Sequence, residues 1–317
     1  MAWCWGAASV SAGEPDRDVW LVSTRSIGCL DAAQVGPEDF DVRHYNAATG
    51  AWDAVKLDAV FEPNARPVWI WVHGNRVSWG QDRREGLAWD DTIRSQAPQA
   101  RPFRLVIWSW PSDQIRGPLR DVRAKADRAD REAGYLGWFL SRMPPRRSVR
   151  LVGFSYGSRI IGGALDRLEG QHRWEALLLA AATPHDWLLP GRPHGKTLDQ
   201  VAHLYVMVNP CDRALRRFAM VDRCTRPCAL GVAGLPGGLE EARMERVEER
   251  CGGDAGPVHD MWCYRSAGST LAAVEAMWRT VDKNDTDRSV RKPVDQLDGA
   301  GRDRLVSGVG VGESSPR

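Results

Sequence analysis

The chain is 317 residues long and carries 43 Lys and Arg against 41 Asp and Glu, a formal net charge of +2. That balance excludes a nucleic-acid or polyanion binder working through bulk charge, and 43% hydrophobic with 26% charged residues excludes wholesale disorder. The longest apolar runs, such as Ala176–Ala182, fall far short of the roughly 20 residues of a membrane-spanning helix.

In chain order, Met1–Pro15 lacks the basic start and long apolar run of a secretory signal, and residues 1–17 read as an N-terminal extension. Val19–Thr24 predicts a first strand. Phe40–Tyr45 and Trp52–Leu57, flanking Ala48-Thr49-Gly50, predict a hairpin. Pro67–Val72 is almost continuously apolar, as a strand covered on both faces requires. Phe103–Trp110, Val149–Phe154, Glu175–Ala182, His203–Val208 and Met244–Glu249 complete the strands. Between them lie a helix containing Asp91–Gln96 and amphipathic stretches at Pro118–Met143, Ser158–Leu168 and Thr270–Val281. The alternation predicts βαβ units, a mostly parallel sheet and one α/β domain over residues 18–281.

In Pro118–Met143, charges of both signs fill the first half and Tyr135–Leu140 turns apolar. This predicts a solvated face that docks at its far end. From Asp282 to Arg317 the chain is polar and loses its periodicity, which predicts a tail without packed structure. Several of the 15 tryptophans fall on predicted strands (Trp69, Trp71, Trp108, Trp110), where core packing is their expected place.

Gly153-Phe154-Ser155-Tyr156-Gly157 matches G-x-S-x-G. It follows the strand SVRLVGF and precedes the helical stretch SRIIGGALDRL, the setting of a nucleophile elbow. The sharp turn lifts the serine hydroxyl above the sheet, and side chains at the flanking glycines would collide with strand and helix. His73-Gly74-Asn75 follows Pro67–Val72, where an oxyanion loop belongs. The backbone N–H of Tyr156 is one candidate donor, and that of Gly74 or Asn75 the second. His73 itself reads as a brace under the loop.

Thr24-Arg25 on the first strand, His73-Gly74, Trp110-Pro111-Ser112 and the Ser155 elbow stand in an order and spacing that resemble a bacterial α/β-hydrolase family without a settled substrate. The resemblance runs from about Val19 to Ala276. It implies the α/β-hydrolase fold, a mostly parallel central sheet with helices on both faces, and a serine-hydrolase machinery. Phe154 and Tyr156 stand where the family more usually has His and Met, a change that bears on pocket shape. The family has an Asp-x-Ala-Leu after a late strand, matched here by Asp212-Arg213-Ala214-Leu215, which implies Asp212 as the triad acid. Asp186, one strand earlier, is the alternative acid. Only His259 follows Asp212 among the histidines, and it precedes the last helix, where the family places its base. The order Ser155, Asp212, His259 is that of an α/β hydrolase.

No H-E-x-x-H, phosphate-binding Walker loop or post-strand G-x-G-x-x-G is present, so the expected chemistry is cofactor-free and metal-free. The expectation is a serine hydrolase of an ester or related acyl bond in a small molecule. An acyltransferase, a peptidase or a binding protein on the same fold is the alternative. Cys211, Cys224, Cys228, Cys251 and Cys263 fall in one stretch, and a bridge among them would mark an exported protein; without one, the missing signal suits the cytoplasm.

Overall fold

The computed structural model describes residues 16–290 except 29, 63, 65, 145–146, 171–173 and 222–225, with backbone only for 100 and 281–290. Its strands are β1 (Asp18–Ser23), β2 (Asp41–Asn46), β3 (Ala51–Ala54), β4 (Val68–Val72), β5 (Arg104–Ser109), β6 (Val149–Phe154), β7 (Trp174–Leu179), β8 (Val201–Val208) and β9 (Val247–Cys251). They form a nine-stranded sheet in the order β3-β2-β1-β5-β4-β6-β7-β8-β9. β2 pairs antiparallel with both β1 and β3, and every other neighbour pair is parallel.

The helices among the described residues are α1 (Asp58–Phe61), α2 (Gln81–Ser95), α3 (Pro118–Leu140), α4 (Tyr156–Asp166), α5 (Thr197–Gln200), α6 (Leu230–Ala233), α7 (Glu241–Met244), α8 (Met261–Ser266) and α9 (Gly268–Val290). The chain up to Val281 forms one compact unit and the chain from Asp282 a second. Of the second, only the helical backbone of 282–290 is described; the remainder of the expected polar tail, and the extension before residue 16, lie outside the described residues.

Strand pleating sends alternate side chains to opposite faces, and the tryptophans show what covers each. Trp69 of β4 meets Trp278 of α9 at 5.4 Å between ring centroids, and the Trp278 indole N–H donates to the Ile93 carbonyl of α2 at 3.1 Å. α2 and α9 therefore cover this face. Trp108 of β5 points the other way, edge-on to Phe139 of α3 at 5.4 Å. α4 shares that side with α3, held by two 2.7 Å hydrogen bonds from Arg159 to Asp130. Both indoles are fully buried, as are Trp71 and Trp110. The apolar second half of α3 is buried too (Tyr135, Leu136, Phe139 and Leu140).

The chain places β5 on one side of β4 and then crosses to β6 on the other. Loops leaving the carboxyl ends of β4 and β6 diverge there and open a crevice, the usual place for a ligand in a parallel sheet. The loop from His73 and the Ser155 elbow leave the sheet at this point.

Candidate active site

Ser155 sits between β6 and α4 with φ 55° and ψ −117°, a conformation that costs a non-glycine residue roughly 1–3 kcal/mol. Three hydrogen bonds hold it. The Ser155 N–H donates to Leu179 O at 2.9 Å, and its carbonyl accepts from Ser158 at 3.1 Å and Ala182 at 3.2 Å. A Cβ at Gly153 would lie 2.7 Å from the Ser158 nitrogen, and one at Gly157 would overlap the Val72 carbonyl. Glycine at both positions lets α4 start tight against β4 and β6.

His259 follows β9 in the turn before α8, whose first N–H groups are capped by Asp260. Its Nε2 lies 3.0 Å from Ser155 Oγ and its Nδ1 lies 2.7 Å from Asp212 Oδ2. A carboxylate only accepts, so Nδ1 carries the proton and Nε2 faces the serine hydroxyl with its lone pair. The imidazole stacks on Phe154 at 5.0 Å and 30°.

Asp212 follows β8 and is fully buried. Its Oδ1 accepts the backbone N–H groups of Ala214 at 3.0 Å and Leu215 at 2.9 Å. Oδ2 accepts from His259 and, at 2.8 Å, from the Tyr264 hydroxyl. Burial by itself would raise this carboxyl, but the bond and charge of His259, the Leu215 N–H and the Tyr264 hydroxyl outweigh it and hold it below the usual carboxylate range. Tyr264 is buried as well, and desolvation together with the Asp212 charge pushes its ionisation upward, so it stays a donor. Asn209 Nδ2 orients it, donating to the Tyr264 oxygen at 3.0 Å and to Gly256 O at 2.8 Å. Nothing in the sequence marks Tyr264 or Asn209: neither belongs to a motif. The one available signal was that Tyr264 closely follows His259, in the stretch that forms α8.

The loop after β4 lies against the elbow. A Cβ on Gly74 would come within 3.1 Å of Ser155 Cβ and 2.9 Å of the Phe154 ring. Tyr156 is the first residue of α4, where a backbone N–H has no intrahelical acceptor. Below the loop, His73 is fully buried. Its Nε2 accepts the Trp110 N–H at 3.2 Å, its Nδ1 meets Gly74 O at 2.9 Å, and its carbonyl accepts the Trp110 indole at 2.8 Å. Burial first, and the charge of Arg25 after it, push the imidazole down to about 4, so it is neutral and structural. Ser112 ties the same loop, accepting from the Val77 N–H at 3.2 Å and donating to Val77 O at 3.0 Å. Arg25 braces it at Val77, whereas Thr24 ties the end of β1 to α3. Thr24 donates to the buried Glu132 of α3 at 2.7 Å, and Arg25 donates to Val77 O at 2.8 Å and Ser109 Oγ at 2.9 Å.

Ser155, His259 and Asp212 thus meet, with Gly74, Asn75 and Tyr156 around them. Asp186 stands apart in an ion pair with Arg192 at 2.8 Å. Cys211, Cys228, Cys251 and Cys263 are free thiols, so no bridge joins those four, and Cys224 lies outside the described residues. Among the described residues no cluster of side chains suits a metal ion, and no helix is long and apolar enough to cross a membrane. A cleft of about 620 Å³, lined by Phe154, Tyr156 and His259 among others, opens beside the serine.

A mostly parallel sheet, a strained strand-to-helix elbow after β6 and a glycine-bearing loop after β4 define the α/β-hydrolase fold. No family model and no characterised sequence matches the chain. Among solved structures it is similar to an acetylxylan esterase (14% identity, 68% of this chain and 99% of that one, TM-score 0.37). Esterase B from Lactobacillus rhamnosis (17% identity, 87% and 89% coverage, TM-score 0.36) is a second. Esterase Est22 (12% identity, 78% and 77% coverage, TM-score 0.31) is a third.

Proposed function

We propose that the protein is a serine hydrolase that cleaves an ester or related acyl bond of a small molecule, and that it belongs with the bacterial family its motifs resemble. The carrying observation is the continuous hydrogen-bonded line from Ser155 Oγ through His259 (3.0 Å) to Asp212 (2.7 Å), mounted on a strained elbow. Ser155 attacks the acyl carbon while His259 Nε2 takes its proton. Asp212 holds the tautomer and stabilises the imidazolium without itself becoming protonated. The N–H of Tyr156, with that of Gly74 or Asn75, receives the developing oxyanion, each donor contributing about 3–4 kcal/mol. His259 then protonates the leaving group, and water attacks the acyl-serine by the reverse path.

Hydrolysis of p-nitrophenyl butyrate by the purified protein tests the reading. Ser155→Ala should lower kcat/KM by roughly 10⁴-fold or more and leave the melting temperature nearly unchanged. Equal turnover by the alanine variant would overturn it.

A further inference from the structure

The cleft beside Ser155 has two walls of different chemistry, and each is stitched together as a unit. One wall joins α2 to α8: Trp89 donates to Met261 Sδ at 3.3 Å, and Arg265 donates to Ala88 O at 3.0 Å and Thr92 Oγ1 at 2.6 Å. It presents Gln81, Glu85 and Asp260 to the cleft. The other wall joins α3 to the 3-10 segment Leu215–Met220, with Arg123 donating to Met220 O at 2.9 Å and Val221 O at 3.3 Å. It presents Leu119, Val122, Phe218 and Met220, and Leu119 and Met220 are two of the few large apolar side chains left exposed.

Which wall takes which half of a substrate follows from the proposed chemistry. His259 must deliver its proton to the leaving oxygen, so the leaving group lies on the side of His259 and α8, against the polar wall. The acyl substituent points away from it, against the apolar wall. Glu85 is the informative residue there. Its Oε1 accepts from Gln81 Nε2 at 2.8 Å, while its Oε2 is buried without a hydrogen-bond partner. Glu85 lines the cleft, and with only Gln81 on Oε1 that oxygen keeps a lone pair for a ligand donor. Arg76, paired with Asp121 at 2.8 Å, and Arg217 also line the cleft, which offsets the charge of Glu85 and Asp260 and suits a neutral hydroxyl.

Resting on the serine-hydrolase reading, we infer that the substrate is an ester of an apolar, medium-length acyl group with a hydroxylated alcohol, whose free hydroxyl donates to Glu85. The specificity of the site is then divided between its walls: chain length is read by α3 and the 3-10 segment, and the alcohol is read by Glu85.

The test compares kcat/KM for monooctanoylglycerol, methyl octanoate, monoacetylglycerol and octanoylcholine, with fluorophosphonate labelling run on every preparation. The wild type should prefer monooctanoylglycerol over methyl octanoate by about 10-fold or more, the scale at which a missing hydroxyl is rejected by a polar site. In Glu85→Leu that ratio should fall toward 1, and Glu85→Gln should retain part of it. Monooctanoylglycerol should also exceed monoacetylglycerol, with the margin shrinking in Leu119→Ser. A ratio unchanged in Glu85→Leu, a faster acetyl ester, or a preferred choline ester would each overturn the inference. If Ser155 labels and no such preference exists, the hydrolase stands and the substrate class falls. If Ser155 does not label, both fall.

Discussion

Two histidines stand at the same edge of the sheet, and their surroundings differ in one decisive respect. His73, after β4, is sealed, with both ring nitrogens set against the main chain of Trp110 and Gly74. His259, after β9, sits at the cleft with one nitrogen on a carboxylate and the other on a hydroxyl. A ring sealed from solvent, with no carboxylate hydrogen-bonded to it, is pushed out of its working range by burial, and His73 falls to about 4. A ring backed by Asp212 can accept a proton and return it. In the proposed mechanism, chemistry at this edge depends on what stands behind the imidazole, and the sealed histidine keeps the loop in place for the open one.

Removing the anionic backing should break the contrast most sharply. Asp212→Asn should reduce kcat by about 10⁴-fold because the tautomer is no longer held, whereas Asp186→Asn should change it by less than about 3-fold, its partner being the exposed Arg192. Steady-state kinetics on both variants check this, and a larger loss at Asp186 would move the acid to that residue.

Tyr264→Phe sharpens the comparison at smaller scale. It deletes one of the four hydrogen bonds that Asp212 accepts, and a bond to a charged group contributes about 1.5–3 kcal/mol. We expect kcat to fall by about 10-fold, with the acid limb of the kcat profile shifted to higher pH because the Asp212 carboxyl rises when it loses a donor. An unmoved pH profile would reduce Tyr264 to a packing residue.

His73→Leu should act on stability rather than on proton transfer. It strands the buried Trp110 N–H, at a cost of about 1–3 kcal/mol, and the melting temperature at pH 7.5 should fall by several degrees. The pH dependence has a definite sign. The His73 imidazole titrates near 6.5 unfolded and about 4 folded, so between those values the unfolded state binds the extra proton. Stability from this group is complete above 6.5 and is lost as pH falls toward 4. Glu132, raised to about 6 by burial against the pull of Arg128, works in the opposite sense from 6 down to its unfolded value. Melting curves from pH 7.5 to 4.5 should slope downward in the wild type and less so in His73→Leu.

The central strands were legible because buried parallel strands must be apolar along their length; the polar strands β2, β3 and β9 at the sheet margins also overlap predicted ones. The N-terminal part of α2 was not. Its residues QDRREG are polar, and Gly86 interrupts the helical pattern, yet that glycine is required where Ile107 would overlap any Cβ. The strand order could not be read, since pairing is decided by distant segments. In the site, Ser155 was visible because its turn demands glycine on both sides, and Asp212 and His259 were visible only through chain order and resemblance. Tyr264 and the partnerless oxygen of Glu85 were invisible because burial and orientation belong to the folded molecule.

The most direct test of the central claim is covalent: reaction with a fluorophosphonate probe, followed by mass-spectrometric mapping of the modified peptide. The account predicts one probe per chain, attached to Ser155, with labelling abolished in Ser155→Ala and strongly slowed in His259→Ala. Modification of another residue, or undiminished labelling of the alanine variant at position 155, would contradict it.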